Sequence, residues 1–211
     1  MSKSFKPKSL FTDSFPEKSG NEVNGWGETQ ERQVTPFFWH TPERQSHGKL
    51  QKVVTDYHHQ SPAVGKYFSP TQPGGRGPKP IDQAEQVVEG TAADWTARVK
   101  EFSLAHEADL VGITAMDDKY VYETYSISEP WVIILGVTMD YADLSQAPPS
   151  FDNPTAAISV AKEYNRAARA CRELANYILS QGYYAKAWQG PYGVSYTHLR
   201  AHETEADLVC R

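Results

Sequence analysis

Residues 156–181, AAISVAKEYNRAARACRELANYILSQ, admit one kind of structure. Ile158, Ala161, Tyr164, Ala168, Cys171, Leu174 (with Ala175) and Ile178 recur at the spacing of one helical face, while Lys162, Arg166, Arg169 and Glu173 lie mostly on others. No Pro or Gly interrupts the run, and Gly182 supplies the stop. A long helix with one apolar face requires a layer to cover it.

The sequence before it supplies candidates for that layer. Thr91-Ala-Ala-Asp94 is a helix start, after which Trp95, Val99, Phe102 and His106 mark one face. ADLVGITA (108–115) is a short β-branched run and reads as a buried strand. DDKYVYETYSISEP (117–130) is polar and aromatic, a short helical turn and loop. WVIILGVTM (131–139) is continuously apolar, the pattern of a strand covered on both faces. DYADLSQAPPSFDNP (140–154) reads as a loop, and YYAKAW (183–188) as a further strand. The expected order is helix, strand, strand, helix, strand. Its last three members form a βαβ crossover with parallel strands, and ligand loops belong at the carboxyl ends of such strands. Those ends are Met139-Asp140-Tyr141 and Trp188-Gln189-Gly190-Pro191-Tyr192.

Residues 1–90 differ in character. SPTQPGGRGPKP (69–80) cannot be a helix or a central strand, because Pro lacks the donor and Gly raises the entropic cost. In TPFFWHTPERQ (35–45), Phe37, Phe38, Trp39 and His40 sit between two prolines and require a surface to bury against. The expectation is an extended arm packed on a larger body. His40, His47, His58 and His59 lack the regular spacing and the Cys or carboxylate company of a zinc site, and read as solvated or packing residues.

The last residues read as something other than protein. VSYTHLRAHET (194–204) is the in-frame translation of a transposon-type sequencing adapter. After Glu205-Ala206-Asp207, Leu208-Val209-Cys210-Arg211 translates the segment that follows the adapter's variable index. Residues 194–211 are therefore set apart from fold reasoning, and the gene is expected to continue past about Gly193. The expected division is an arm (1–90), a truncated α/β core (91–193) and a non-native tail (194–211).

The formal charge is −5 over 211 residues; the tail accounts for −1, two Arg against three acids, and leaves −4. No basic excess points to nucleic acid or anionic membrane. MSKSFKPKSLFTDSF has neither a secretory apolar run nor a twin-arginine pair, and no stretch approaches the roughly 20 apolar residues of a membrane helix. A soluble, cytoplasmic protein is expected. Outside the tail the one cysteine is Cys171, which supports neither a disulfide framework nor a zinc site and reads as a small core residue. Tyr164 and Tyr177 read as packing residues, and Asp117 to Tyr120 as a solvated loop. No GxGxxG, Walker, GxSxG, HExxH or CxxC run is present. PGGRGPKP has no strand before it and no clean helix after it, so it is not a phosphate cradle.

Three blocks in order carry a resemblance: VKEFSLAHEADLVGITAM, WVIILGVTMDYADLSQAPP and EYNRAARACRELANYILSQGYYAKA. Their succession over roughly 94–190 resembles the cobalamin-dependent reductive dehalogenases. The family's form here is a helix leading to GADLVGI, a strand leading to VLGVxMDY and AP, and a helix leading to IRxLGYxA. The long non-secretory extension resembles the soluble, catabolic branch. The resemblance implies a nitroreductase-like α/β core that binds cobalamin, two 4Fe–4S clusters in a Cys-rich segment, an organohalide substrate of halophenol type and an electron donor. In the family the donor Tyr and the cluster cysteines lie downstream of this stretch, so no catalytic residue and no metal ligand is carried over. Neither nucleic acid nor membrane is an expected partner. The strand-end residues Tyr141, Gln189 and Tyr192 are the cofactor-rim candidates, with a structural loop cap as the alternative for each. The epoxyqueuosine reductases, which act on tRNA, share the same core but usually begin close to the first helix. A cobalamin-binding or trafficking module would share the core without the clusters.

Overall fold

The computed structural model describes residues 29, 30, 33, 56, 57, 60–68, 75–123 and 125–188. Among them the elements run α1 (Pro62–Phe68), α2 (Ala92–Ala105), β1 (Leu110–Ala115), a 3-10 turn (Asp118–Tyr120), β2 (Trp131–Gly136), α3 (Tyr141–Leu144) and α4 (Thr155–Ser180). The fold is mixed helix and strand, with a two-stranded sheet. The chain divides into two compact units. The described residues of one are 57–113 and 133–188, and those of the other are 114–132 with 29, 30, 33 and 56. No described helix is long and apolar enough to cross a membrane.

Helix α2 begins where its sequence indicates. The Asp94 N–H donates to Thr91 Oγ1 at 3.2 Å, and the Thr91 N–H donates to Asp94 Oδ2 at 3.0 Å. This reciprocal box satisfies two of the backbone donors that a helix start leaves open. The Thr91 hydroxyl and backbone together hold the Asp94 carboxyl below its usual range. Val99 and Ser103 are buried on the inward face, and Phe102 stacks on His106 at 3.9 Å and on Tyr177 of α4 at 4.2 Å. Trp95 meets Tyr183 edge-on at 5.0 Å, beyond the end of α4. The exit from α2 is less conventional. Glu107 takes a left-handed backbone with φ 69°, a position that favours glycine. Its carboxylate is gripped by Arg169 of α4, with Nε at 2.8 Å from Oε1 and Nη2 at 2.7 Å from Oε2. This forked pair holds the residue where its backbone alone would resist.

Strands β1 and β2 are antiparallel: the Asp109 N–H donates to Gly136 O and the Met116 N–H to Pro130 O, each at 2.9 Å. Gly136 lies against Leu110, whose Cβ would stand 3.1 Å from any Cβ added there. Two corrections follow. First, residues 183–188 are irregular, so the expected third strand and its parallel βαβ crossover are not formed among the described residues. The ring of Tyr183 packs on Trp95, its hydroxyl donates to Val88 O at 3.2 Å, and the Cys171 thiol donates to Trp188 O at 3.8 Å. This segment is thus bound to helices and to the arm, with no ladder of its own. Second, the strands are not covered on both faces. Their residues are half-buried at best, and Leu110 and Trp131 are exposed. A two-stranded ribbon has too little surface to be enclosed as a layer. The expected loop 140–154 also contains one helical turn, α3, capped by Asp140, whose Oδ1 accepts from the Asp143 N–H at 3.0 Å.

Helix α4 spans Thr155–Ser180, and Gly182 follows it with φ +85°, the stop the sequence indicates. Ala156, Ala161, Ala168, Ala170 and Leu174 are buried on it. Tyr164, assigned to the apolar face, is 55 % exposed, whereas the next residue, Asn165, is buried and donates to Tyr67 O at 2.6 Å. Burial on α4 thus includes Ala161, Ala168 and Leu174 of the marked face and also positions that apolar spacing does not mark, among them Ser159 and Asn165. The N-terminal half is covered by α1: Tyr57, Val64 and Ala161 form a buried cluster, with Tyr67, Ala157 and Ile158 packed against it. The C-terminal half is met by residues 75–88, a segment free of helix and strand, as the Pro and Gly of residues 75–80 require for its first part. The aromatic run 37–40, the histidines His40, His47, His58 and His59, and the tail 194–211 lie outside the described residues.

Candidate functional site at the end of the second strand

The chain leaves β2 through Val137, Thr138, Met139 and Asp140, and this short segment is fixed from below. The Thr138 N–H and Oγ1 both donate to Asp109 Oδ2, at 2.7 and 2.8 Å. The other carboxylate oxygen of Asp109 accepts from Arg166 Nη2 at 2.8 Å, and Arg166 also reaches Glu163 at 3.3 Å. Asp109 therefore joins the foot of β1, the exit of β2 and the middle of α4 through one carboxylate. The Arg166 hydrogen bond, followed by the two from Thr138, holds its carboxyl well below the usual carboxylate range. Asp109 in turn raises the Arg166 guanidinium. An acid this strongly stabilised as the anion is a poor proton donor, so its role is to position.

What it positions is an exposed rim. Met139 is 38 % exposed and Tyr141, the first residue of α3, is 84 % exposed. Of the three residues singled out from the sequence, Tyr141 is thus presented to solvent at the carboxyl end of β2. Gln189 and Tyr192 lie outside the described residues. The sequence reasoning missed Asp109, Thr138 and Arg166. The signal for the first two was a carboxylate and a hydroxyl near the ends of otherwise apolar runs, Asp109 in 108–115 and Thr138 in 131–139.

The residues present differ in how they suit the implied cofactors. An exposed phenol ring and a thioether two positions apart suit apolar contact with a large planar group. The chain cannot supply the four thiolates of a 4Fe–4S cluster, since it has two cysteines in all. Burial pushes the Cys171 thiol up, away from the thiolate that a metal requires. Among the described residues no group of three or more His, Cys, Asp or Glu is placed to hold a metal ion. No family model matches the chain, and no curated protein matches it significantly.

Proposed function

We propose that this chain is the upstream part of the cobalamin-binding core of a cytoplasmic, cobalamin- and iron–sulfur-dependent reductive dehalogenase acting on organohalides, and that it is inactive by itself. One observation carries the reading beyond the sequence blocks. The three blocks of the resemblance meet at a single side chain: Asp109 of the first is hydrogen-bonded to Thr138 of the second and ion-paired with Arg166 of the third. Segments far apart in sequence thus behave as one unit, as parts of a common core should. In this reading cobalamin supplies the carbon–halogen chemistry when bound, within a nitroreductase-like core. The chain contributes a rim at Met139 and Tyr141, held by Asp109, and the ligands of the two 4Fe–4S clusters come from further sequence.

The test is the uninterrupted gene, expressed with a corrinoid supply and purified without oxygen. The product should carry corrinoid and about eight iron atoms per chain, as two 4Fe–4S clusters require, and should release halide from a halogenated phenol under reduction. Corrinoid without iron would replace this reading with a cobalamin-handling module. Turnover of epoxyqueuosine in tRNA without halide release would replace it with the tRNA enzyme. Absence of both cofactors would end it.

A further inference from the structure

Residues 75–88 bind α4 in an ordered way. Arg169 Nη1 donates to Gly75 O at 3.1 Å, Arg172 Nη1 to Gly77 O at 3.4 Å, and Asn176 Nδ2 to Lys79 O at 2.9 Å. The three alternate carbonyls of residues 75, 77 and 79 are thus met by side chains three and four residues apart along the helix. Both spacings advance by similar lengths, so extended chain and helix stay in step. Asn176 also accepts from the Ile81 N–H at 3.2 Å, offering the segment an amide edge much as a neighbouring strand would. Beyond it, the Ala84 and Val88 N–H groups donate to Leu179 O and Gln181 O, and Gln83 Nε2 donates to Gly182 O. These last bonds reach the end of α4 and the two residues after it, where Leu179 O also accepts from the Gly182 N–H at 3.1 Å.

The recognition is almost wholly of main chain. From Arg76 to Gly90 only Ala84 is even half-buried, and Ile81, Val87 and Val88 are 46 %, 45 % and 37 % exposed. The close approaches require glycine: a Cβ on Gly77 would stand 2.9 Å from Arg169 Cα, and one on Gly182 2.5 Å from Gln86 O. On either side along the chain lie elements secured differently, α1 by its buried cluster and α2 by its capping box and ring stacking.

We propose that residues 75–88 form a releasable strap, which lifts from α4 as one unit while α1 and α2 stay packed. A segment held largely by hydrogen bonds that water can replace, with Ile81, Val87 and Val88 only about half covered, opens below the cost of global unfolding. Release leaves Arg169, Arg172 and Asn176 as a row that reads extended backbone. The inference is independent of the dehalogenase reading.

Native-state hydrogen exchange on the full chain at rising urea tests it. The Ile81, Ala84 and Val88 amides should exchange by an opening that low urea does not accelerate, while amides in the middle of α4 follow global unfolding. Asn176→Ala should speed strap exchange and tryptic cleavage after Arg76 roughly five- to 150-fold, the effect of two lost hydrogen bonds, while the chain stays folded and the middle of α4 stays protected. Strap and α4 amides that share a single urea-dependent opening would overturn the proposal. So would an Asn176→Ala chain that unfolds, because the strap would then be integral to the fold.

Discussion

Helix α4 is covered along its two halves by neighbours of opposite kind. On the N-terminal half, Val64 of α1 and Tyr57 ahead of it form a buried cluster with Ala161. On the C-terminal half, residues 75–88 bring mainly carbonyls and amides, met by Arg169, Arg172 and Asn176. The first contact excludes water and gains its stability from apolar surface. The second exchanges hydrogen bonds to water for hydrogen bonds to protein, a trade with a small net return. Beside its apolar packing with α1 and with Phe102 of α2, helix α4 therefore carries one cover held mainly by hydrogen bonds. The sharpest test of that contrast is to damage each half separately.

The largest effect should come from the apolar half. Val64 is fully buried. Val64→Asp places a carboxylate in that cluster with no partner provided, at a cost of about 3 kcal/mol or more. That is a large fraction of the stability of a small domain. Urea denaturation followed by circular dichroism should show the loss. Val64→Ala should cost less, about 1–2 kcal/mol for the methyl groups removed. If the Asp variant unfolds at the parent's urea midpoint, α1 does not stabilise α4.

Gly182 belongs to the other half and ranks second. Its left-handed backbone and the 2.5 Å approach to Gln86 O leave no room for a methyl group. Gly182→Ala should cost about 2 kcal/mol. The distinguishing outcome is where that loss falls. Amide exchange should rise first at Ala84 and Val88, which bond to Leu179 O and Gln181 O beside this residue. A uniform rise across α1 as well would erase the contrast between the halves.

The same contrast explains which parts of the structure the sequence made legible. The apolar spacing of α2 and α4, the cap at Thr91 and the stop at Gly182 are local signals, and each coincides with an observed feature. Both strands lie within the apolar runs that indicated them. The run 183–188 has the composition of a strand, but composition does not reveal whether an edge exists to pair with, and these residues engage Trp95, Val88 and Cys171 instead. Arg166 and Arg169 count as lying off the apolar face because they are polar, and apolar spacing gives Asn165 no place at all. Their partners Asp109, Glu107 and Tyr67 stand 57, 62 and 98 residues away. Apolar periodicity cannot detect a polar residue satisfied at that distance. At the candidate site the position of Tyr141 just past the second strand was legible, and the carboxylate that fixes the loop beneath it was not.

That carboxylate gives the next effect in size. The folded-state value of Asp109 is depressed, chiefly by Arg166. Its contribution is therefore fully present above the ordinary carboxylate value of about 3.9 and is lost as pH falls below it towards the depressed value. Its side chain is 32 % exposed, so water screens the pair, and no more than about 1 kcal/mol is expected. Urea midpoints between about pH 5 and pH 2 should fall with acid in the parent and fall less steeply in Asp109→Asn. Equal slopes would show that the junction of β1, β2 and α4 does not depend on this charge.

The smallest effect separates the site from the scaffold. Tyr141 is 84 % exposed at the first position of α3, where most residues serve equally well. Tyr141→Ala should change stability by no more than about 0.5 kcal/mol, the range of surface substitutions that disturb no cap or core. Asp109→Asn, by contrast, loosens the loop that carries this ring. The two variants therefore divide the candidate rim into the group that would touch a ligand and the group that positions it. In the product of the uninterrupted gene, Tyr141→Ala should lower corrinoid retention while leaving iron content and thermal midpoint at the parent's values. Asp109→Asn should lower both retention and midpoint. If Tyr141→Ala keeps full corrinoid and full turnover, the ring caps a loop and the cofactor is held elsewhere. If it instead lowers the midpoint as much as Asp109→Asn does, Tyr141 is part of the scaffold.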